Sequence, residues 1–556
     1  MRVGWAMGLA GLALLGPAQA DPGTDLLPIM QRELQRCATV LRHKAPPGPY
    51  FMSYAVNDTD ELHVSGMSGA LILDHESHNR SLNVDVRAGT PQLDNTHLTA
   101  GTLNFQGTGF PIGDDDPAAL QAAFFMPTEE AWRAATDQLA AIQANQAVTV
   151  RQADAAADFS DDHPAQYRGP LLHMTSTRSQ WEPIVRHAAA RFLDRVAIQQ
   201  SQVNVSVLVN NHYFASTDGG AIQFGETMSR LDVAAMAQAD DGMPVMRSVS
   251  TESRDPDKLP TGADLDRLVD QVGADVLALR QAPVMEPYAG PAILSGRAAG
   301  VFFHEIFGHR IEGHRQKGSE SGQTFTHRVG QPVLPDFISV VDDPTAREFA
   351  GTDLAGAYPY DEEGMPGQKV VVVDHGVLRN FLMSRSPING FPHSNGHGRA
   401  ANYNRAVGRQ GNLMVSSTVG YSDAELRRRL IELCKQQGKP FGILVADVNG
   451  GFTMTSGAAP QAFEVQPSMV YRVYVDGRPD ELVRGVALIG TPLTSFSHIV
   501  ACGDHAEVFN GVCGAESGPV PVSAVSPALL IEQIELQKQP VSDARPPILP
   551  PPGEKP

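Results

Sequence analysis

Four cysteines in 556 residues are too few and too scattered for a disulfide-built scaffold. They stand at positions 37, 434, 502 and 513, and a chain this long can bury a core without such staples. Cys502 and Cys513 are the nearest pair in sequence, and a bridge between them stays open. Basic residues are also in short supply, 43 Lys and Arg against 62 Asp and Glu, for a net charge of −19. That balance argues against nucleic acid as the main partner, because phosphates would be repelled, and the surplus reads as an acidic, solvated surface. The apolar run in the first twenty residues, "MRVGWAMGLAGLALLGPAQA", is too short to span a bilayer. With Arg2 before it and small residues after it, it reads as a leader cleaved after Ala20. The expectation is therefore a periplasmic or secreted protein without stable membrane insertion, an uncleaved anchor being the alternative. No repeat of fixed period is present. No phosphate-binding loop is present either, since "ADVNGGF" and "TDGG" lack both the lysine and the glycine spacing.

What is present falls into two halves. Residues 24–43, 117–158, 180–199 and 261–281 carry helical periodicity, the last with Thr261 as its cap. Between them lie alternating runs broken by Asn, Asp and Gly, which read as antiparallel strands. A boundary follows at "APVMEPYAGP". Beyond it come many short β-type runs with one helix at 422–437. The expected fold is α+β, with an α/β N-terminal domain at 21–288 and a mostly antiparallel β domain at 289–540 that carries a histidine-bearing helix. Residues 541–556, "ARPPILPPPGEKP" and its lead-in, read as a disordered Pro-rich tail.

That helix is the stretch "AGVFFHEIFGHRIEGHRQ", Ala299 to Gln316, which sets His304, Glu305 and His309 within an apolar wall. Zinc sites of the H-E-x-x-H type hold histidines four apart on one helical face. Here the spacing is five, about 500° of rotation in a regular helix, and the rings would point roughly 140° apart. The two imidazoles can share an ion only if the helix widens into a π-type turn or ends between them, and Gly308 suits either distortion. Glu305 would then lie beside the metal and take a proton from its water. Glu312 and His314 would orient a ligand or face solvent. The alternative is a helix whose histidines are hydrogen-bonded core residues.

The segment "GPAILSGRAAGVFFHEIFGHRIEGHRQ" resembles the signature of the TldD/PmbA family of metallopeptidases, on the TldD side. The likeness continues in "YDEEGMPGQKVVVVDHGVLRNFLMSR" and "VCGAESGPVPVS", and upstream in "YFASTDGGAIQFGETMSRLDVAAMAQADDGM". The resemblance implies Zn²⁺ held by His304, His309 and Cys513, with Glu305 as general base. It implies hydrolysis of unfolded or extended peptides, held in an enclosed cleft as an added β-strand. It also implies a homodimer, or a heterodimer with a PmbA-like subunit lacking the motif. The alternative function is that of a non-catalytic peptide-binding subunit in such a dimer. The family commonly has an acidic residue where this chain has His314, and its best-known members lack a leader.

Three further motifs invite a role. "HSNGHGR", His393 to Arg399, reads as a solvent-exposed loop, the alternatives being a wall of the substrate cleft or an adventitious metal site. Asp361, Glu362 and Glu363 read either as a receiver for a substrate amino terminus or as a solvated turn. His498, Cys502 and His505 are metal-ligand types at loose spacing, a second metal site at best. Cys37 and Cys434 sit on helices and read as structural.

Overall fold

The computed structural model describes residues 25–45, 47–97, 108–113, 116–146, 156–317, 323–455, 462–490 and 492–539. The expected leader at 1–20 and the Pro-rich tail at 541–556 lie outside these residues. Six helices matter here: α1 (Leu26–Lys44), α2 (Pro117–Gln146), α3 (Arg178–Ala190), α4 (Gly262–Gln281), α5 (Gly296–Ile306) and α6 (Asp423–Gln436). None among the described residues is long and apolar enough to cross a membrane.

The first half is built on a seven-stranded sheet. Its long strands are β1 (Phe51–Met67), β2 (Ala70–Arg87), β3 (Gln200–Ser216), β4 (Ala221–Gln238) and β5 (Pro244–Ser253). They pair antiparallel in the order β2-β1-β3-β4-β5. Period-two alternation divides their side chains cleanly. Met52, Tyr54, Val56, Leu62 and Val64 point to one face. There α1 and α2 cover one end of the sheet, while α3 and α4 cover the other. The opposite face, with Phe51, Ser53, Ala55 and Asn57, lines a cavity shared with the second half.

The second half holds an eleven-stranded, mostly antiparallel sheet. Six of its strands place the site: β6 (Tyr288–Leu294), β7 (Asn412–Ser417), β8 (Phe441–Thr453), β9 (Phe463–Tyr474), β10 (Ile499–Ala515) and β11 (Gly518–Lys538). The pairs β6–β8 and β7–β11 are parallel, and β10 and β11 form a long hairpin. Helix α5 packs into this sheet, with Phe302, Phe303, Ile306 and Phe307 in the main core. The α+β class and the placing of His304 and Glu305 on a helix of the β-rich half agree with the sequence expectation. Arg247 of the first half pairs with Asp447 of the second at 2.8 Å.

Two local expectations are corrected. Thr261 occupies the N-cap position of α4, but its side chain makes no capping hydrogen bond; Ser422, by contrast, caps α6 by accepting from the Glu425 amide. The stretch His393–Arg399 is not an open loop. His393 is exposed, yet His397 is completely buried, with Nε2 3.2 Å from Asp342, and Arg399 is buried too. Short polar residues between glycines can look solvated in sequence when a neighbouring strand supplies their partners.

Candidate metal centre

Ser295 starts α5 by accepting from the Ala298 amide at 3.2 Å. The helix stops at Ile306, and a 3₁₀ turn, Gly308–Arg310, follows. It therefore ends between the two histidines, one of the two geometries their spacing requires. Arg310 holds that end. Its Nη1 donates to the carbonyls of Glu305 and Ile306, each at 3.0 Å, and so satisfies acceptors left over by the helix. Gly308 serves close approach, since a Cβ there would lie 1.8 Å from the Gln410 side chain.

The break turns the rings toward each other, with centroids 5.0 Å apart and planes at 80°. Cys513, on β10, arrives from 204 residues further along and sets Sγ 3.3 Å from His309 Nε2. One donor atom from each of His304, His309 and Cys513 lies within 4.8 Å of the other two. Donors around tetrahedral zinc, bonded at 2.0–2.3 Å, stand about 3.5 Å apart. Two imidazoles and a thiolate are also the borderline-soft set zinc prefers over calcium or magnesium. The residues thus fit the ion on spacing and on chemistry. Cys513 is a free thiol, as are Cys37, Cys434 and Cys502.

Electrostatics point the same way. Burial alone would raise the Cys513 thiol, but the adjacent His309 and His304 outweigh it and hold the thiol well below its usual range. Burial alone would lower His309. Cys513 and Glu312 outweigh that and push it up to about 10. Both shifts favour a proton on the imidazole over one on the thiol, and a cation can replace it.

Glu305 stands beside the cluster, with Oε2 3.9 Å from His309 Nε2. Burial raises its carboxyl above the ordinary range, and the two histidines offset part of the rise. A Cβ at Gly451 would come within 2.8 Å of the Glu305 side chain, so β8 closes over it.

Glu312 does not face solvent. Fully buried, it holds His309 Nδ1 at 3.2 Å and fixes the tautomer that turns Nε2 toward Cys513. Arg315 Nε, 2.7 Å away, and Arg409 Nε, 3.4 Å away, share the same carboxylate. Arg409 also donates to the carbonyl of Cys513 at 2.8 Å, tying both ligand-bearing segments to one guanidinium. His314 points elsewhere, toward Glu516 at 3.7 Å, and Glu516 in turn makes a two-pronged pair with Arg315. Among the described residues His498, Cys502 and His505 do not come together as a ligand group. Arg310, Arg315, Arg409 and Glu516 had no role in the sequence reading. The first two and Glu516 flank recognisable motifs, but nothing local marks Arg409.

A cavity of about 740 Å³ opens over the cluster. Asn449–Thr453 line one wall and Phe509–Glu516 the other. Among the described residues β10 pairs with β11 and, at Gly503, bridges Tyr421, so along Phe509–Ala515 its outer edge has no partner strand.

Residues 287–538 match the family model described as the PmbA/TldA metallopeptidase C-terminal domain. A protein of Archaeoglobus fulgidus named metalloprotease is 31% identical over 43% of this chain and 51% of its own length. A zinc metalloprotease TldD homolog of Saccharolobus solfataricus is 24% identical over 59% of this chain and 69% of its own. The chain spans about half the length of the first curated relatives it matches. Among solved structures, TldE from Thermococcus kodakarensis superposes with a TM-score of 0.60 at 12% identity, covering 92% of this chain and 100% of that one, a likeness of fold.

Proposed function

We propose that this chain, which belongs to the TldD/PmbA family, is a zinc-dependent peptidase acting on unfolded or extended peptides. The observation that carries the reading is the meeting of His304, His309 and Cys513 beside one buried carboxylate, Glu305. Zinc, when bound, supplies Lewis acidity to the attacking water and the scissile carbonyl. The chain's own residues do the rest. Glu305, its carboxyl raised by burial, takes the proton of the attacking water and hands it to the leaving amine. Glu312 holds His309 in one tautomer. The free edge of β10 offers backbone hydrogen bonds to an extended substrate, which gives affinity with little sequence preference. The apolar wall of Val301, Val522 and Phe509 thins the water around the centre.

Glu305→Gln keeps the shape of the side chain and removes the base. The expected result is full metal content and peptide cleavage lowered about 10²–10⁴-fold; cleavage at the wild-type rate contradicts the assignment. The alternative, a non-catalytic peptide-binding subunit, is disfavoured because Glu305 is intact and placed beside the cluster. Pairing with a second copy or a PmbA-like subunit, and export to the periplasm, belong to this proposal as expectations. Light scattering and fractionation of expressing cells check them.

A further inference from the structure

One face of β10 carries Cys513 to the histidines; the other face of the same stretch is bare. Side chains alternate along a strand. Cys513 stands across from Val520 in the β10–β11 register, and with Val522 they form a small buried cluster. Val512 and Gly514 point the other way, across from Pro521 and Pro519. Val512 is 64% exposed, and Gly514, Pro519 and Pro521 are exposed as well. Val512 and Gly514 both line the metal cavity, so that cavity wraps the edge of β10 and reaches both of its faces. The two prolines line a second cavity, of about 410 Å³, between the halves of the molecule.

A glycine in a strand usually answers a positive φ or a neighbour too close for a Cβ. Gly451, across the metal cavity, is of the second kind, with Glu305 against it. Gly514 is of neither kind. Its φ is not positive, and a Cβ there would meet nothing within 4 Å. The chain's own packing does not call for the missing side chain. Nor does it cover the apolar patch of Val512 and the prolines.

The backbone says what can cover it. Along Phe509–Ala515 the outer edge of β10 has no partner strand among the described residues. The far edge of β11 is closed to a strand, because Pro519 and Pro521 have no N–H and the Pro521 carbonyl accepts from Arg399 at 2.6 Å. An extended peptide laid on β10 turns every second side chain onto the Val512 face, with directly opposed Cβ atoms about 4.5–5.5 Å apart. The charges of the cavity wall favour an apolar residue there. Arg230 pairs with Asp232 at 2.7 Å and Glu252 at 3.0 Å, Arg297 with Asp447 at 3.0 Å, and Arg315 with Glu312 and Glu516. Each arginine on the wall already has a carboxylate, and Glu305 is committed to the chemistry.

Resting on the peptidase reading, we propose that Val512 and Gly514 form a subsite for one large apolar side chain of the substrate, on a residue next to the one that faces the metal centre. Val512 supplies the apolar contact and Gly514 the room. The subsite adds one side-chain preference to recognition that otherwise runs through the main chain.

The test measures binding rather than cleavage. Calorimetry on Glu305→Gln protein compares three eight-residue peptides of alanine and serine that carry alanine, leucine or glutamate at one central position. The leucine peptide is expected to bind about tenfold more tightly than the alanine peptide, and the glutamate peptide no better than alanine. Adding Gly514→Val fills the room and should bring the leucine-to-alanine ratio close to one. Adding Val512→Lys should reverse the preference toward glutamate, which lost packing alone would not do. Unchanged zinc content checks the folding of both variants. Should either lose zinc, Val512→Thr, which keeps the shape and removes apolar surface, decides by lowering the leucine preference. Equal affinity of the parent for the leucine and alanine peptides, or a leucine preference that survives every variant, overturns the proposal and leaves the peptidase reading standing. A parent that binds none of the three also overturns it, and if the wild type cuts none of them the peptidase reading falls too.

Discussion

Two charged clusters, one buried and one half-buried, sit on either side of one hairpin and solve opposite problems. Around Glu312, every charge has a partner within the chain: His309, Arg315 and Arg409 converge on one fully buried carboxylate. Its carboxyl is held well below the usual range, because those three neighbours outweigh the burial that would raise it. Around Glu362, half-buried on a cavity wall, desolvation outweighs the nearby Arg399 and the carboxyl rises. A closed network positions ligands and needs nothing further.

The contrast breaks most visibly at Glu312. Glu312→Ala takes from Arg409 its one carboxylate among the described residues, leaves Arg315 with Glu516 alone, and frees the His309 ring. It is expected to cost about 3–5 kcal/mol in chemical denaturation and to weaken zinc binding about 10–100-fold in a chelator competition. A stability loss below 1 kcal/mol would mean that the network is not closed.

Glu362→Gln sharpens the other side through its pH dependence. The folded-state carboxyl lies above its ordinary 4.5, at about 7. Its contribution to stability is therefore complete below pH 4.5 and lost as pH rises through 7. Below 4.5 the wild type and the variant should melt together. Above pH 7 the variant, free of a buried charge, should be more stable by about 1–3 kcal/mol. Glu312 has the reverse sign: its stabilisation is present above its ordinary value and lost as pH falls. Melting curves from pH 4 to 8 in which wild type and Glu362→Gln do not draw apart as pH rises would contradict the account.

The smallest effect is expected at Cys502, a buried thiol on the same strand as Cys513 that lies in the hydrophobic core. Cys502→Ala should cost about 1 kcal/mol of packing and leave the metal content unchanged. Loss of metal in that variant would put the donor set in doubt.

Much of this was legible in the sequence. The five-residue spacing of His304 and His309 demands a break, and the helix ends at Ile306. The apolar run around Glu305 implies burial, and Glu305 is buried. Cys513 has no local signature; it entered through family resemblance, and the β10–β11 hairpin is what carries it to the histidines. The roles of Arg409 and His397 were not readable. Each depends on a partner tens to hundreds of residues away, and local periodicity says nothing about pairing at that range. Residues 361–363 show this best: three adjacent acids look alike in sequence and all line one cavity, yet Asp361 and Glu363 also tie down backbone amides elsewhere in the chain.

The claim on which the peptidase reading stands is that Cys513 completes the donor set. Metal quantification of purified wild type beside Cys513→Ala tests it directly. The account predicts close to one zinc per chain in the wild type and less than about a tenth of that in the variant. Equal zinc in both proteins would contradict it.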